Sequence, residues 1–341
     1  MLRNIPPKVS VIVPVMNVAP YLRECLDSIL TQSLSDIEVL CGDGGSTDGS
    51  LEILQEFASK DSRISVLSKP GSGYGQSVNE CMRMASGEYI GIVESDDVIK
   101  SDMYESLYYI AKNKSLDWVR GDIYLYHTTK NRNQILRYEK IIIGNFYNKV
   151  LDPQTDSRPY RSGLRTWSGI YRRDFLEEHK ISHNETPGAA YQDVGFYLKT
   201  LFYANRVAFV PRAFYMWRQD NQMSSTHFNS KRLVERSYNE WMLNQDYLQT
   251  NADLGQQALY GFRYRQFLSY MWTIDCANGP EKERMRKIAQ QTIITAKQRG
   301  EYDRRFYTTR EWRQMKRFIR TGDTEDARRK IHIWLQNLFS R

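Results

Sequence analysis

Hydrophobic and polar residues alternate along the first hundred residues in short blocks that follow two different periods. Runs rich in β-branched residues are too short for helices and predict buried strands at Val9–Val15, Ile37–Cys41, Ile64–Leu67 and Glu88–Val93. Between them, apolar residues recur at helical spacing and predict helices over Pro20–Thr31, Ser50–Phe57 and Gly73–Ala85. Strands and helices in strict alternation are typical of βαβ units. We therefore expect an α/β fold with a Rossmann-like, mostly parallel sheet flanked by helices.

The pattern changes twice further along the chain. Residues 127–166 are polar and predict long loops, after which helical periodicity returns over Trp167–Glu178 and Gln192–Tyr203. Two strands are expected at Val207–Val210 and Ala213–Trp217. Beyond them the pattern predicts only helices, at Leu233–Leu248, Gln256–Asp275, Glu281–Arg299, Arg310–Arg320 and Thr324–Phe339. We expect one domain at 1–228, with halves at about 1–125 and 126–228, and a helical C-terminal region at 229–341.

Composition excludes several classes of protein. Of the 341 residues, 41% are hydrophobic and 26% charged, which is typical of a globular chain. No apolar run approaches the roughly 18 residues of a membrane span, and no cleavage site follows the N-terminal apolar stretch. Four scattered cysteines make a disulfide framework or a thiolate metal site improbable. These features favour a cytoplasmic protein.

The net charge of +8 belongs to the C-terminal residues. Residues 281–341 hold 17 Lys+Arg and 8 Asp+Glu, so the other 280 residues carry −1. Arg310–Arg320 and Arg328–Phe339 both predict basic amphipathic helices. Three uses stay open for them: packing against the first domain, formation of a homo-oligomer, or peripheral contact with an anionic membrane at its inner face. No aromatic stacking platform accompanies the charge, so we expect no nucleic-acid partner.

Two acidic segments follow predicted strands directly. Asp43 lies in the polar turn after the second strand, and Glu94-Ser95-Asp96-Asp97 follows the fourth. In open α/β sheets, ligands bind beyond the carboxyl ends of the strands. Three neighbouring carboxylates repel one another unless a cation or hydrogen bonds offset the charge, and oxygen ligands suit Mn²⁺ or Mg²⁺. Capping of the next helix would account for Asp97 alone, so the cluster predicts a metal–diphosphate site.

A glycine-rich segment opens the third predicted helix. Its sequence, GSGYGQS at 71–77, does not have the G-x-G-x-x-G spacing of a dinucleotide fingerprint, and no Walker loop is present. Close helix–sheet packing and direct ligand contact explain these glycines equally well.

Three motifs together resemble glycosyltransferase family 2, which has the GT-A fold. They are VSVIVPVMNVAPYLRECLDSIL, DGGSTDGS and ASGEYIGIVESDD, and their order and spacing match over residues 9–97, less tightly to about 225. The resemblance implies an inverting hexosyltransferase that uses a nucleotide sugar together with Mn²⁺ or Mg²⁺.

The resemblance also implies roles for residues on the donor side. Pro14, Val15 and Asn17 would line the nucleobase pocket, and Asp43 would bind the uracil or ribose. The residues that would wrap the nucleotide sugar are Lys69, Gly73, Gln76 and Asn79. Two positions depart from the family pattern: Gly44 stands where members carry a second Asp, and Val78 stands where they carry Arg.

The family's Asp-x-Asp corresponds to Glu94-Ser95-Asp96, so the resemblance places these residues against the donor. Asp96 is the expected direct metal ligand, supported by Glu94 and Asp97. Asp220 stands where many members place a metal-binding His and is a further metal candidate. Arg218 would grip the diphosphate in bidentate fashion.

On the acceptor side, Tyr191-Gln192-Asp193 matches the segment that holds the general base. Asp193 would take the proton of the acceptor hydroxyl in a single inverting displacement, although the residues alone favour a helix N-cap. Trp167 and Gln192 would contact the acceptor, and an ordinary core role for Trp167 stays equally open. The loop at 127–166 is expected to close and exclude water.

The expected function is transfer of a sugar from a UDP-hexose or UDP-N-acetylhexosamine to a bacterial surface polysaccharide or glycoprotein glycan, on a lipid-linked or protein-linked acceptor. A nucleotidyltransferase is one alternative, but it needs a basic glycine-rich loop where this chain has VMNVAPY. A non-catalytic interaction protein with a GT-A fold is the other. The joint presence of Glu94, Asp96 and Asp193 argues against it.

Overall fold

The computed structural model describes residues 6–128, 134–142, 144, 146–189, 191–221, 229–251 and 253–322. The chain divides into two units. The first comprises Met1–Asp152, Gly163–Thr200 and Ala204–Asn221, and the second comprises Pro153–Ser162, Leu201–Tyr203 and Gln222–Arg341. The boundary that we expect at 228 stays a prediction, and nothing in the sequence pattern signals that 153–162 groups with the C-terminal residues.

The first unit contains a mixed sheet, in which we number nine strands within the described residues. They are β1 (Val9–Val15), β2 (Ile37–Asp43), β3 (Ile64–Ser68), β4 (Tyr89–Ile92), β5 (Val98–Ile99), β6 (Trp118–Thr128), β7 (Gln134–Glu139), β8 (Gly169–Arg172) and β9 (Val207–Arg218). Their order is β3-β2-β1-β4-β8-β6-β9-β5, and β7 pairs with β6.

The predicted parallel pattern holds for the first four strands. β1 lies between β2 and β4 and pairs in parallel with both, and β2 pairs in parallel with β3. β8 is antiparallel to both β4 and β6, so it joins the two halves of the sheet with reversed direction. Every residue of β1 is buried, which explains its unbroken apolar sequence.

Ten α-helices lie within the described residues. They are α1 (Ala19–Leu30), α2 (Ser50–Lys60), α3 (Tyr74–Met84), α4 (Met103–Asn113), α5 (Arg173–Glu178), α6 (Gln192–Tyr203), α7 (Ser230–Thr250), α8 (Gln256–Cys276), α9 (Gly279–Gln298) and α10 (Thr309–Thr321). α1 buries Leu22, Cys25, Leu26 and Ile29, the face that the spacing predicts. Asp48 accepts the N–H groups of Ala19 and Ser50, so one carboxylate satisfies donors at the starts of α1 and α2.

Two predictions from periodicity are wrong in part. The segment Trp167–Glu178 contains β8 and only six residues of helix, because Gly169–Arg172 pairs with β4 and β6. The polar segment 127–166 includes β7, which is exposed along most of its length and gains its order from pairing with β6. Both strands depend on partners distant in the chain, which a local pattern does not show.

The second unit contains α7 to α10. Trp241 is buried between α7 and α8 and donates to Ser269 at 2.8 Å. α10 begins with a capping box formed by Thr308 and Glu311, and its apolar residues Met315 and Phe318 are buried. The helix predicted at 324–339 lies outside the described residues. Among those residues, no helix is long and apolar enough to cross a membrane.

Candidate active site

The site-forming residues of the donor side lie at one edge of the sheet. Val15 pairs with Asp43 at the carboxyl ends of β1 and β2, and Glu94 follows two residues after β4 on the other side of β1. Because these strands are parallel neighbours, their carboxyl ends meet at the same edge. The structure therefore brings together the two acidic segments that are 50 residues apart in sequence.

The turns after β1 and β2 are joined by reciprocal hydrogen bonds. The N–H of Asn17 donates to Ser46 Oγ at 3.0 Å, and the N–H of Thr47 donates to Asn17 Oδ1 at 2.9 Å. Asn17 adopts a left-handed conformation with φ 53°. Pro14 and Val15 precede this turn as buried residues of β1, and their expected contact with a nucleobase stays a prediction.

Asp43 is buried and shapes the turn that follows it. Its carboxylate accepts the N–H groups of Gly45 and Ser46, both at 3.1 Å, and the hydroxyl of Ser68 at 3.1 Å. Gly44 replaces the family's second Asp. A Cβ at this position would lie 3.0 Å from the carbonyl oxygen of Ser72, so the neighbouring segment approaches closely where the family has a side chain.

Lys69 and Gln76 share one partner, Glu80, which the sequence analysis did not single out. Lys69 Nζ forms an ion pair with Glu80, and Gln76 Nε2 donates to the same carboxylate at 3.3 Å. Lys69 also donates its N–H to the carbonyl oxygen of Asp43 at 2.9 Å. The ion pair of Lys69 and Glu80 therefore lies beside the turn that follows Asp43, and the Lys69 side chain is half exposed.

The glycines of α3 pack against a loop rather than against the sheet. A Cβ on Gly73 would lie 3.0 Å from the oxygen of Thr186, and one on Gly75 would lie 2.2 Å from the oxygen of Asn184. Asn79 is buried and binds the backbone of His183 twice, through its amide nitrogen and its oxygen, both at 2.9 Å. These residues bind the loop 183–188 to α3, which is a third explanation for the glycine-rich segment.

Glu94 is half-buried and lies between several polar groups. Its Oε1 accepts the hydroxyl of Tyr74 at 2.7 Å, and its N–H donates to the hydroxyl of Tyr215 at 3.0 Å. Burial is the main cause that raises the pKa of this carboxyl to about 8; Asp96 and Asp193 raise it further, and the Tyr74 hydrogen bond lowers it. Asp193 is therefore close enough to Glu94 for the two carboxylates to interact.

Asp96 and Asp97 have different surroundings. The half-buried Asp96 accepts from Asn221 Nδ2 at 2.7 Å through Oδ2, and no described residue donates to its other oxygen. Asp97 is fully buried, accepting the N–H of Arg218 at 2.6 Å and the hydroxyl of Tyr215 at 2.7 Å. Burial raises its pKa well above the usual range. Ser95, between them, is buried.

Arg218 is held by residues from both halves of the first unit. Its guanidinium donates to Glu24 at 2.5 Å and to the carbonyl oxygen of Asp96 at 2.7 Å. The group also lies 4.8 Å from the ring centre of Tyr21 and 4.5 Å from that of Tyr126. Asp220 accepts from Arg218 Nη1 at 3.5 Å and from the N–H of Thr128 at 2.9 Å. Sequence reasoning missed Glu24, because a single acid on a helix surface carries no signal.

Asp193 lies in the first turn of α6, half-buried. Tyr191 precedes the helix with φ 68°, and Gln192 is buried, donating to the carbonyl oxygens of Thr186 and Gly188 at 3.2 and 3.1 Å. The structure shows no hydrogen bond from the side chain of Tyr191 that caps the helix. Burial raises the pKa of Asp193 to about 6, against the lowering effects of two N–H groups in its own turn and of Arg120.

Trp167 is buried and stacks on Tyr215, with ring centres 4.1 Å apart. Tyr215 is the residue that binds Glu94 and Asp97, so Trp167 supports the acidic segment from the side of β9. Its expected contact with an acceptor stays a prediction. Tyr215 and Tyr74 were also missed by sequence reasoning, since nothing in the local pattern separates them from core tyrosines.

The acidic residues fit a divalent cation that is shared with a ligand. Among the described residues, no group of three His, Cys, Asp or Glu side chains is arranged to hold a metal by itself. Asp96 offers an oxygen at the edge of the sheet, which suits Mn²⁺ or Mg²⁺ when phosphate oxygens and water complete the shell. Both carboxylate oxygens of Asp97 already accept hydrogen bonds, from Tyr215 and Arg218.

Comparisons with known proteins identify the family of the chain. The sequence model of glycosyl transferase family 2 matches residues 10–192, more than half of the chain, and the chain belongs to this family. An uncharacterized glycosyltransferase of Bacillus subtilis, EpsJ, is 31% identical over 220 residues, which are 63% of this chain. The chain thus spans only 62% of the length of EpsJ, and 30% of the length of the glycosyltransferase GlyA of Streptococcus pneumoniae.

Solved structures show that the fold is GT-A with C-terminal helices. S. aureus TarS 1-349 in complex with UDP-GlcNAc has a TM-score of 0.59 at 20% identity and covers 93% of this chain and 92% of its own. The mannosyltransferase PcManGT of Pyrobaculum calidifontis, in complex with GDP-Man and Mn²⁺, has a TM-score of 0.52 at 15% identity, with coverages of 99% and 89%.

Proposed function

We propose that this protein transfers a sugar from a UDP-sugar to an acceptor hydroxyl, with inversion and with a divalent cation. The observation that carries the proposal is the electrostatic interaction of Asp193 with Glu94. A half-buried carboxylate in the first turn of a helix thus lies within electrostatic reach of the acidic segment at the carboxyl edge of the sheet.

The donor would bind along that edge. Pro14, Val15, Asn17 and Asp43, at the ends of β1 and β2, would contact the nucleobase and ribose, and Glu94 and Ser95 follow the next strand. On the side of α3, the donor would be bounded by Lys69, Gly73, Gln76 and Asn79. Asn79 would act indirectly, by binding the loop 183–188. The UDP-GlcNAc in the TarS complex supports a uridine nucleotide.

A bound Mn²⁺ or Mg²⁺ would neutralise charge on the nucleoside diphosphate, with Asp96 as the protein ligand and Asp220 nearby. Asp97 would contribute by orienting the backbone of Arg218 and the hydroxyl of Tyr215. Arg218 lies beside this segment. Its guanidinium would offset phosphate charge by exchanging its pairing with Glu24, whose side chain is 43% exposed.

Asp193 would accept the proton of the acceptor hydroxyl. A pKa of about 6 is suitable for this role, because the carboxylate is ionised at neutral pH and is still basic enough to take a proton. Gln192 and Trp167 would hold the acceptor side in place from buried positions.

The acceptor is proposed to be a bacterial surface polysaccharide or glycoprotein glycan, lipid-linked or protein-linked, met at the cytoplasmic side of the membrane. Because Met315 and Phe318 of α10 are buried in the second unit, a peripheral membrane contact or a homo-oligomer would use the basic face of that helix.

Calorimetry with UDP, with and without Mn²⁺, tests donor binding. A UDP-release assay over a panel of UDP-sugars then tests transfer. We expect metal-dependent UDP binding and release of UDP from one sugar. Release of pyrophosphate from UTP and a sugar 1-phosphate, measured in a parallel assay, would instead indicate a nucleotidyltransferase. UDP binding without release from any UDP-, GDP- or dTDP-sugar would indicate a non-catalytic binding protein.

Asp193→Asn tests the base. We expect UDP release to fall by at least about a hundredfold while UDP affinity stays nearly constant. Asp174→Asn is the matched control, because Asp174 also lies in the first turn of a helix but is 75% exposed. Equal effects of the two substitutions would contradict the assignment.

A further inference from the structure

Arg120 is a fully buried arginine near the start of β6. Its Nη2 donates to the carbonyl oxygen of Gly163 at 2.8 Å and to that of Arg165, and its Nε donates to Ser168 Oγ at 3.3 Å. These three partners belong to one segment, 163–168, which carries Trp167. The arginine thus binds the backbone of this segment from inside the sheet.

The same side chain also reaches α6. Its guanidinium lies 5.5 Å from the ring centre of Tyr197, one turn after Asp193 on that helix, and its charge acts on Asp193 itself. Burying a cation is costly unless hydrogen bonds and an opposite charge compensate it. The segment 163–168 supplies neutral oxygens, and Asp193 supplies a negative charge.

We propose that Arg120 is a positioning residue for this reaction: it fixes segment 163–168 against the helix of Asp193, and its charge holds the Asp193 carboxylate in the proton-accepting form. The proposal rests on the proposed function and deepens it. Gly169 supports it independently, since a Cβ there would lie 2.6 Å from Arg120 Cγ and 2.1 Å from the oxygen of Val119. The chain after Trp167 is therefore shaped around Arg120.

Asp193 interacts electrostatically with titratable or charged groups from four parts of the sheet and its helices. Glu94 follows β4, Tyr74 lies on α3 and Tyr171 on β8, and the negative charge of Asp193 raises the pKa of each of these three groups. Arg120 on β6 is the cation that lowers the pKa of Asp193. Without this cation, only the two N–H groups in its own turn would oppose the effect of burial, and the pKa of Asp193 would rise.

The test is the pH profile of kcat/KM for UDP release in three proteins: wild type, Arg120→Met and Arg120→Lys. Methionine keeps the length of the side chain but removes its charge, whereas lysine keeps the charge but loses the planar fork. We expect the acid limb of the profile to move to higher pH in Arg120→Met, because the cation that lowers the pKa of Asp193 is lost. It should stay close to the wild-type position in Arg120→Lys, with a raised KM for the acceptor.

UDP affinity is the folding control, because the donor is expected at the turns after β1 and β2, whereas Arg120 binds segment 163–168. A limb that does not move in Arg120→Met, with kcat/KM lowered equally at every pH, would overturn the proposal and leave Arg120 a purely structural residue. If Arg120→Met does not fold, the Arg120→Lys protein decides. Lysine keeps the positive charge, so an acid limb that moves upward in Arg120→Lys as if the charge had been lost would also overturn the proposal.

Asp193→Glu separates this proposal from the proposed function. Its carboxylate occupies a different place, so its acid limb must move if Asp193 is the base. If the acid limb of the pH profile does not move in Asp193→Glu, the assignment of Asp193 as the base is refuted, and the role of Arg120 is refuted with it. If the acid limb moves in Asp193→Glu but does not move in Arg120→Met, only the role of Arg120 is refuted.

Discussion

Gly75→Ala tests the contact between α3 and the loop 183–188. The new Cβ would lie 2.2 Å from the carbonyl oxygen of Asn184 and 3.0 Å from its carbonyl carbon, both backbone atoms. Ordinary contacts of this kind begin near 3.4 Å, so loop or helix must shift by about 1 Å. Overpacking of this sort costs about 1–3 kcal/mol, and the better helix propensity of alanine returns up to about 1 kcal/mol.

We therefore expect Gly75→Ala to lower the free energy of unfolding by about 1–2 kcal/mol, measured by denaturant titration. The turnover of UDP release should fall as well, because the loop holds Gln192, the neighbour of Asp193, through the carbonyl oxygens of Thr186 and Gly188.

Gly255→Ala is the control for an added methyl group. Nothing lies within 4 Å of its Cβ position, and its backbone has an ordinary φ of −67°. It should change stability by less than about 1 kcal/mol and leave turnover unaltered. If Gly75→Ala proves as stable and as active as Gly255→Ala, the close approach of α3 and the loop is refuted.

Three further results are expected. Lowering the pH through about 6 should reduce kcat/KM, because burial raises the pKa of Asp193 to about 6 and only the ionised base accepts a proton; a profile that stays flat down to about pH 5 contradicts this. Asp96→Ala should remove the Mn²⁺-dependent part of UDP affinity in calorimetry, and unchanged affinity would place the metal elsewhere. Asn79→Ala should lower the free energy of unfolding by about 2–3 kcal/mol in denaturant titration, because two backbone groups of His183 lose their partner, with UDP affinity nearly constant. A large loss of affinity at unchanged stability would instead make Asn79 a donor ligand.

The first four strands and their helices were predictable because their signals are local. Predicted and observed bounds of α1 differ by one residue at each end, Pro20–Thr31 against Ala19–Leu30. β8 was missed, since four residues of strand carry too little periodicity and gain their order from β4 and β6. The GT-A fold was therefore predictable from the motifs in the first half of the domain.

For the site, the sequence indicated residue types and only some of their partners. It placed Asp43, Glu94 and Asp96 at strand ends, where topology alone brings them together. It did not indicate that Asn79 binds the loop 183–188 or that Glu24 pairs with Arg218, because these contacts join residues 104 and 194 positions apart.

What the sequence by itself determined is the order of the first four strands and of the helices between them, and the acidic chemistry at the edge of the sheet, because period and turn residues are properties of neighbouring positions. Only the tertiary structure decided which of the carboxylates is available. Asp97 is enclosed by Tyr215 and Arg218, Asp96 keeps one oxygen clear of described donors, and Asp193 lies near the buried charge of Arg120. Burial and distance set the charge state of such groups, and both arise only when distant strands meet.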